Sequence, residues 1–316
     1  MTATNPPTIG IIGASIWGNR GAESMLVTTI GLLRRKYPQA KFVIFSYFPK
    51  KDRSLITDQN IQVVSAKPAS LVLRIFPFTV FLWFFNLFRL RLPDSFLTNV
   101  TRALRRCDLL LDISGVSFVD GRELFIPYNI LTILPAMMLK IPVVKLAQAL
   151  GTFNNPLNRA AARIFLPRCA QIFSRGDHTS QNLEGIGVHN FTRTADIAFL
   201  YEPEFSLSTE NEEQTKALLS ELDKVKQAGG RWIAISPSSL VYEKSSKKGD
   251  DYLGRLLKLA REISTEATHF LFLANSTREG SNKTRNNDLL VVERLMHRAL
   301  ISLSPDDFEK THWANW

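Results

Sequence analysis

Along the chain, short apolar runs alternate with longer stretches in which apolar residues recur at helical spacing. Residues 8–13 form the first run and lead into a loop over 14–21; residues 23–37 then carry Met25, Leu26, Ile30 and Leu33 on one helical face. The opening therefore reads strand, glycine-containing loop, helix. Further strands are expected over 41–47, around 61–64, and over 108–114, 141–149 and 171–174, with helices over 125–139 and 157–169. Such alternation predicts a parallel sheet covered by helices on both faces.

The pattern changes after Asp196. Residues 201–209 are polar and contain Pro203, as a linker would, and a charged helix is expected over 210–227. Strands at 232–236 and 269–274 then alternate with helices at 252–263 and 289–300. The expected fold class is α/β in two lobes, residues 1–200 and 201–316. Because two strands with their helices make only about half of a doubly wound domain, the second lobe is expected to be incomplete.

Length and charge agree with this picture. A chain of 316 residues is long for one hydrophobic core. Its formal net charge of +10 draws anions, whether nucleic acid, phospholipid headgroups or phosphorylated small molecules. Lys and Arg are scattered rather than gathered into a stripe interleaved with aromatics, which argues against a nucleic-acid partner. Lys244, Lys247 and Lys248 form a small cluster and read as a solvated loop. Cys107 and Cys169 lack the spacing of a disulfide framework or a zinc site. Asp112, Asp120, Asp196 and Asp288 lack metal-ligand spacing, so no metal is expected. The first residues have neither the basic start nor the apolar run of a signal peptide, so a cytoplasmic location is expected.

One stretch stands apart. Residues 71–88 read LVLRIFPFTVFLWFFNLF, followed by Arg89, Arg91 and Pro93, and form the centre of an apolar insert near 68–93. Its length approaches that of a membrane span, yet Arg74, Pro77 and Asn86 interrupt it. A buried helical insert is one reading. A membrane span is a second, and peripheral contact with the inner face of the plasma membrane, through Leu71, Phe81, Trp83 and Phe84, is the third.

Candidate chemistry sits where strands end. Gly18-Asn19-Arg20-Gly21-Ala22-Glu23 follows the first strand, where backbone N–H groups at a helix start favour an anion; the alternative is a tight turn capped by Asn19 or Arg20. Asp112-Ile-Ser114-Gly115, with Asp120 and Arg122 beyond it, ends the fourth main strand, and Asp112 could equally be an ion-paired strand residue. Gln148-Ala-Leu-Gly151 and Ser174-Arg175, with Ser180, end the next two strands, followed by Ala195-Asp196. Arg175 suits a bidentate grip on carboxylate or phosphate, or else a surface ion pair with Asp177.

Together with Asn286-Asn287-Asp288-Leu289 in the second lobe, these motifs resemble the polysaccharide pyruvyl transferase family in order and spacing over nearly the whole chain. The resemblance implies two Rossmann-like lobes of the glycosyltransferase-B type and phosphoenolpyruvate as donor. It implies a pyruvate ketal on a sugar of a cell-surface polysaccharide, a lipid-linked acceptor included, and no cofactor. Substrate-binding roles fall to Asn19, Arg20, Gly21, Glu23, Ser114, Gly115, Asp120, Gln148, Arg175, Ser180, Asp196, Asn287 and Asp288, with Arg175 first among them for the donor. An acid must protonate the enol methylene before a sugar hydroxyl attacks, and in the family a His following an Arg late in the second lobe resembles that acid. Here the chain ends Asp306-Asp307-Phe308-Glu309-Lys310-Thr311-His312-Trp313-Ala314-Asn315-Trp316. His312 lacks the matching motif and is not given the role, so the catalytic acid stays unassigned. The chain is expected to be a C-terminally truncated member that binds ligand better than it turns it over. Two other readings stay open: a nucleotide-sugar glycosyltransferase, which would want Glu279 or Asp288 for a ribose, and a non-catalytic remnant at the membrane.

Overall fold

The computed structural model describes residues 6–90, 93–202, 209–277, 287–302 and 311–314. Asn286, Glu279, Arg91 and residues 306–310, 315 and 316 lie outside them. The chain divides into two compact units, residues 1–17 with 21–202, and residues 18–20 with 203–316.

The first unit is built on a parallel sheet. Its strands are β1 (Thr8–Ile12), β2 (Lys41–Ser46), β3 (Ile61–Ser65), β4 (Leu109–Asp112), β5 (Val116–Ser117), β6 (Val143–Leu150), β7 (Gln171–Arg175) and β8 (Phe191–Thr194). They run in the order β3-β2-β1-β4-β6-β7-β8, with the short β5 paired to β6. Both faces are buried. Along β2, Phe42 and Ile44 enter one hydrophobic cluster while Val43 and Phe45 enter the other, as the side-chain alternation of a strand covered on two sides requires. The direction of strand order reverses between β1 and β4, and that reversal opens a crevice at the carboxyl ends of the two strands.

Helices α1 (Arg20–Lys36), α2 (Pro49–Leu55), α3 (Pro68–Leu87), α4 (Asn99–Arg105), α5 (Ile126–Leu131), α6 (Leu134–Met138), α7 (Pro156–Phe165) and α8 (Gly176–Gly185) connect these strands. α1 starts earlier than its apolar periodicity shows, so Arg20 and Gly21 lie in its first turn rather than in the loop. The single helix expected over 125–139 is two, because Pro135 at the start of α6 carries no N–H to continue the ladder from α5. α7 begins on Pro156 behind the Asn155 cap, whose side chain accepts from the N–H groups of Leu157 and Asn158. α2, α4 and β8 went unread in the sequence.

The two thiols sit within this core. Burial pushes Cys107 up to about 12, with Asp108 adding to it. Burial likewise pushes Cys169 up to about 11, a rise that Lys145 opposes and Asp112 reinforces. Neither thiol ionises at neutral pH, and the thiolate is the reactive form. Both cysteines are therefore expected to react with a disulfide reagent only as fast as the chain unfolds; prompt labelling in native buffer would contradict this packing.

In the second unit, β9 (Arg231–Ile235), β10 (Thr268–Leu273) and β11 (Thr311–Ala314) form a parallel sheet in the order β11-β10-β9. Helices α9 (Thr209–Gln227), α10 (Ser239–Lys247), α11 (Tyr252–Ile263) and α12 (Leu289–Ser302) accompany it. Leu253, Leu257, Phe270, Phe272, Val291 and Leu295 form its core. Two expectations are corrected. Lys244 and Lys247 lie in the last turn of α10 rather than in a loop, because Ser238 caps that helix by accepting from Val241. Residues 311–314 are a third strand, paired along Phe270–Leu273, where only two strands were expected.

Candidate functional site

All strands of the first sheet are parallel, so their carboxyl ends share one edge, and the sequence motifs fall along it. At the β1–β4 reversal the chain leaves β1 through Gly13, whose φ is 96°, and leaves β4 through Asp112.

Asp112 is 1% exposed and pairs with Lys145, which is fully buried, at 2.5 Å. Its other carboxylate oxygen accepts from the Ser114 N–H at 3.0 Å. Gln148, also fully buried, donates to the Asp112 carbonyl at 2.6 Å and accepts from Ser117 Oγ at 2.7 Å. In a regular strand, Lys145 and Gln148 would face opposite sides. Here Lys145 stands opposite Asp112 in the β4–β6 register, while the β6–β7 register slips between Lys145 and Gln148 and Ala147 takes φ 51°; this bulge lets Gln148 reach Asp112 as well. The consequence for Ser114–Gly115 is a strand-end backbone held by a buried polar network. Of the expected site residues, Ser114 and Gln148 are thus brought together through Asp112, and the buried amide of Gln148 is spent on holding the loop.

Asp120 likewise serves the protein's own loop. One oxygen accepts from Thr152 Oγ1 at 3.0 Å, Asn154 N at 2.7 Å and Asn155 N at 3.2 Å. The other accepts from Asn158 Nδ2 at 2.8 Å. Burial pushes its carboxyl up, but the hydrogen bonds from Asn158, Asn155, Asn154 and Thr152 outweigh burial and hold it below the ordinary value.

Further along the edge, Arg175 ends β7 and its Nη1 pairs with Asp196, the two side chains 31% and 23% exposed. The alternative reading of Arg175, a surface ion pair with Asp177, is corrected in its partner: Asp177 pairs with Arg193 at 2.8 Å. Asp196 itself caps the short turn Ile197–Leu200 by accepting from Ala198 N at 3.0 Å. Beside Arg175, Ser174 Oγ and Ser180 Oγ lie 2.7 Å apart. Arg175, Ser180 and Asp196 thus form a second cluster on the β7–β8 side.

Asn19 immediately precedes α1, and Arg20, Gly21 and Glu23 lie in its first turn. The positive pole of the helix dipole lies at that end. Asn287 and Asp288 belong to the second unit. The Asp288 carboxylate accepts from Ser239 N at 2.7 Å and Ser276 N at 3.0 Å, tying the loops after β9 and β10 to the start of α12. A carboxylate so engaged is a poor match for the ribose-binding acid that a nucleotide-sugar site would want.

Two positioning residues escaped the sequence reading. Lys145 had one visible clue, a lone charge in the apolar run VVKLAQAL. Asp52 had none, since in PKKDRSL it reads as a surface helix residue. It is fully buried and accepts from Trp17 N at 2.9 Å and Ser46 Oγ at 2.5 Å, fastening the loop after β1 to the end of β2.

With this geometry in place, the chain can be set beside known proteins. A family model described as polysaccharide pyruvyl transferase matches residues 19–310. No curated protein matches the chain significantly. Among solved structures, a Listeria monocytogenes protein described as a UDP-N-acetylglucosamine 2-epimerase is similar at 13% identity and a TM-score of 0.51, over 99% of this chain and 70% of the other. A UDP-GlcNAc 2-epimerase from Methanocaldococcus jannaschii shares 12% identity at a TM-score of 0.49, over 98% and 73%. A ugt transferase from Siraitia grosvenorii, solved with UDP, shares 11% at 0.45, over 98% and 73%. The likeness, at the TM-score of 0.51, is one of fold alone: α/β units of the glycosyltransferase-B-like kind.

Proposed function

Because the chain belongs to the polysaccharide pyruvyl transferase family, we propose that it takes phosphoenolpyruvate at the carboxyl edge of its first sheet and transfers the pyruvyl group to a sugar of a cell-surface polysaccharide as a ketal. The observation that carries this reading is Arg175. A guanidinium at a strand's carboxyl end, held in orientation by Asp196 and partly open to solvent, offers a planar fork to a carboxylate or phosphate. The backbone of Ser114–Gly115, fixed by the Asp112 network, supplies a rigid wall at the β1–β4 reversal.

A proton adds to the enol methylene, making it a methyl group and leaving an oxocarbenium-like carbon. One sugar hydroxyl oxygen bonds to that carbon and loses its proton. A second hydroxyl of the sugar forms the other C–O bond as the C–O bond to phosphate breaks, and inorganic phosphate leaves with the remaining proton. Binding geometry is the protein's main contribution to such a step, since fixing donor and acceptor removes the entropic cost of their encounter.

Titration calorimetry tests the donor assignment without knowledge of the acceptor. The protein is expected to bind phosphoenolpyruvate in preference to UDP, and Arg175→Ala to weaken that binding by about tenfold to a hundredfold, as loss of hydrogen bonds to a charged group does. Binding of UDP alone, or equal phosphoenolpyruvate affinity in both proteins, would overturn the proposal.

A further inference from the structure

The most unusual surface of the first unit is α3. A helix apolar on all sides belongs either inside a protein or inside a membrane, and α3 divides itself between two surroundings. Leu71, Ile75, Thr79 and Leu82 form one stripe, each buried, and Leu71 and Ile75 are members of the first unit's core. The rest of the helix is open: Leu73 is 68% exposed, Phe84 51% and Leu87 65%, and Val72, Phe81 and Trp83 are exposed with them. Only 28% of its apolar window is buried. The side facing solvent is therefore as apolar as the side facing the core.

That division excludes both simpler readings of the sequence. A membrane span could not keep its Leu71–Leu82 stripe packed on the α/β core, and a core helix would not leave large aromatics in water. Beside the foot of α3, an apolar cavity of about 380 Å³ is lined by Leu71 and Val72 with Tyr47, Phe125, Tyr128 and Leu131. Burial pushes the Tyr128 phenol up to about 12, with Asp112 and Tyr47 adding to it, so this wall stays uncharged. Exposed cations stand around the open side: Lys67 just before α3, Arg74 within it and Arg89 just after it. The chain as a whole carries +10.

We propose that the open side of α3 docks the protein onto an anionic lipid membrane. Phe81, Trp83 and Phe84 enter the headgroup–acyl boundary, Lys67, Arg74 and Arg89 meet the lipid phosphates, and the cavity beside Leu71 and Val72 extends the apolar contact. Aromatic and aliphatic residues on one side with basic residues at the rim are what an interfacial helix requires, and the cationic rim selects anionic over neutral lipid. This docking is independent of the donor assignment, because it needs no phosphoenolpyruvate.

Vesicle co-sedimentation of the full chain tests it, with phosphatidylcholine vesicles set against vesicles containing phosphatidylglycerol. The protein is expected to pellet with the anionic vesicles. Changing Phe81, Trp83 and Phe84 together to Ser is expected to weaken binding by about a hundredfold or more. Arg74→Gln and Arg89→Gln are each expected to weaken it about fivefold on anionic vesicles alone. As a measurement that needs no disruptive variant, acyl-chain-brominated lipid should quench the protein's fluorescence, and Trp83→Phe should remove that quenching while binding persists. Unaltered pelleting of the triple variant, or quenching that survives Trp83→Phe, would overturn the proposal. So would a protein that ignores vesicles and forms a stable dimer in solution, which would assign the same surface to a second copy of the chain.

Discussion

Lys145→Met is expected to lower the unfolding free energy by about 3–5 kcal/mol, a large part of the roughly 5–15 kcal/mol that holds a domain together. The reason lies in what stays behind. Asp112 and Lys145 are buried to 1% and 0% exposure, so removing the ammonium leaves a carboxylate in the core with no opposite charge. The double change, Asp112→Leu with Lys145→Met, removes both charges and is expected to cost less than the single one, since a buried pair contributes little net stability over apolar residues of similar volume. Urea unfolding of the single and double variants measures both. A Lys145→Met protein within about 1 kcal/mol of the parent would show that the pair is not buried as described.

Gly13→Ala is expected to cost about 2–5 kcal/mol and to weaken phosphoenolpyruvate binding with it. Gly13 has φ 96°, and a Cβ placed there would lie 2.1 Å from Ser114 Oγ and 2.5 Å from Ser114 N. Backbone strain and collision thus act at one position, and the collision is with main chain that cannot swing aside. β1 and β4 would be forced apart where their order reverses, at the crevice itself. Gly121→Ala is the matched control: its φ is 78°, but nothing lies within 4 Å of the added carbon. It should cost about 1 kcal/mol from strain alone. Equal destabilisation by the two changes would remove the close approach of β1 and β4 from the account.

Most of the sheet was readable because parallel strands buried on both faces announce themselves as apolar runs, as in Thr8–Ile12 and Lys41–Ser46. β8 was not, because its residues Phe191, Thr192, Arg193 and Thr194 are half-buried to exposed at the sheet's edge. β11 lies within a mixed sequence whose pairing comes from β10, a long-range contact that no local periodicity carries. The broken helix at Pro135 was there to be read from the residue itself, and apolar continuity concealed it.

The site was legible in its positions and less so in its wiring. Arg175 at a strand end followed from the residue order. That Asp196 rather than Asp177 holds it depends on β7 and β8 being neighbours, which sets Arg175 opposite Thr194. The Asp112–Lys145 pair follows from the β4–β6 register, and Gln148 joins it past a bulge at Ala147, where no glycine marks the positive φ. Asp120 was legible as a polar residue in the right loop, but its partners come from the 152–158 segment, brought in by the fold. For α3 the sequence left its surroundings open, and the structure buries the Leu71–Leu82 stripe while leaving Leu73, Phe81, Trp83, Phe84 and Leu87 exposed.

If the carboxyl edge of the first sheet holds the donor, a crystal soaked with phosphoenolpyruvate should show it there. Density for the ligand should lie against the Arg175 guanidinium and the Ser114–Gly115 backbone, beyond the ends of β4 and β7. Ligand bound solely beyond the ends of β9 and β10, or anywhere that leaves Arg175 uncontacted, would contradict it.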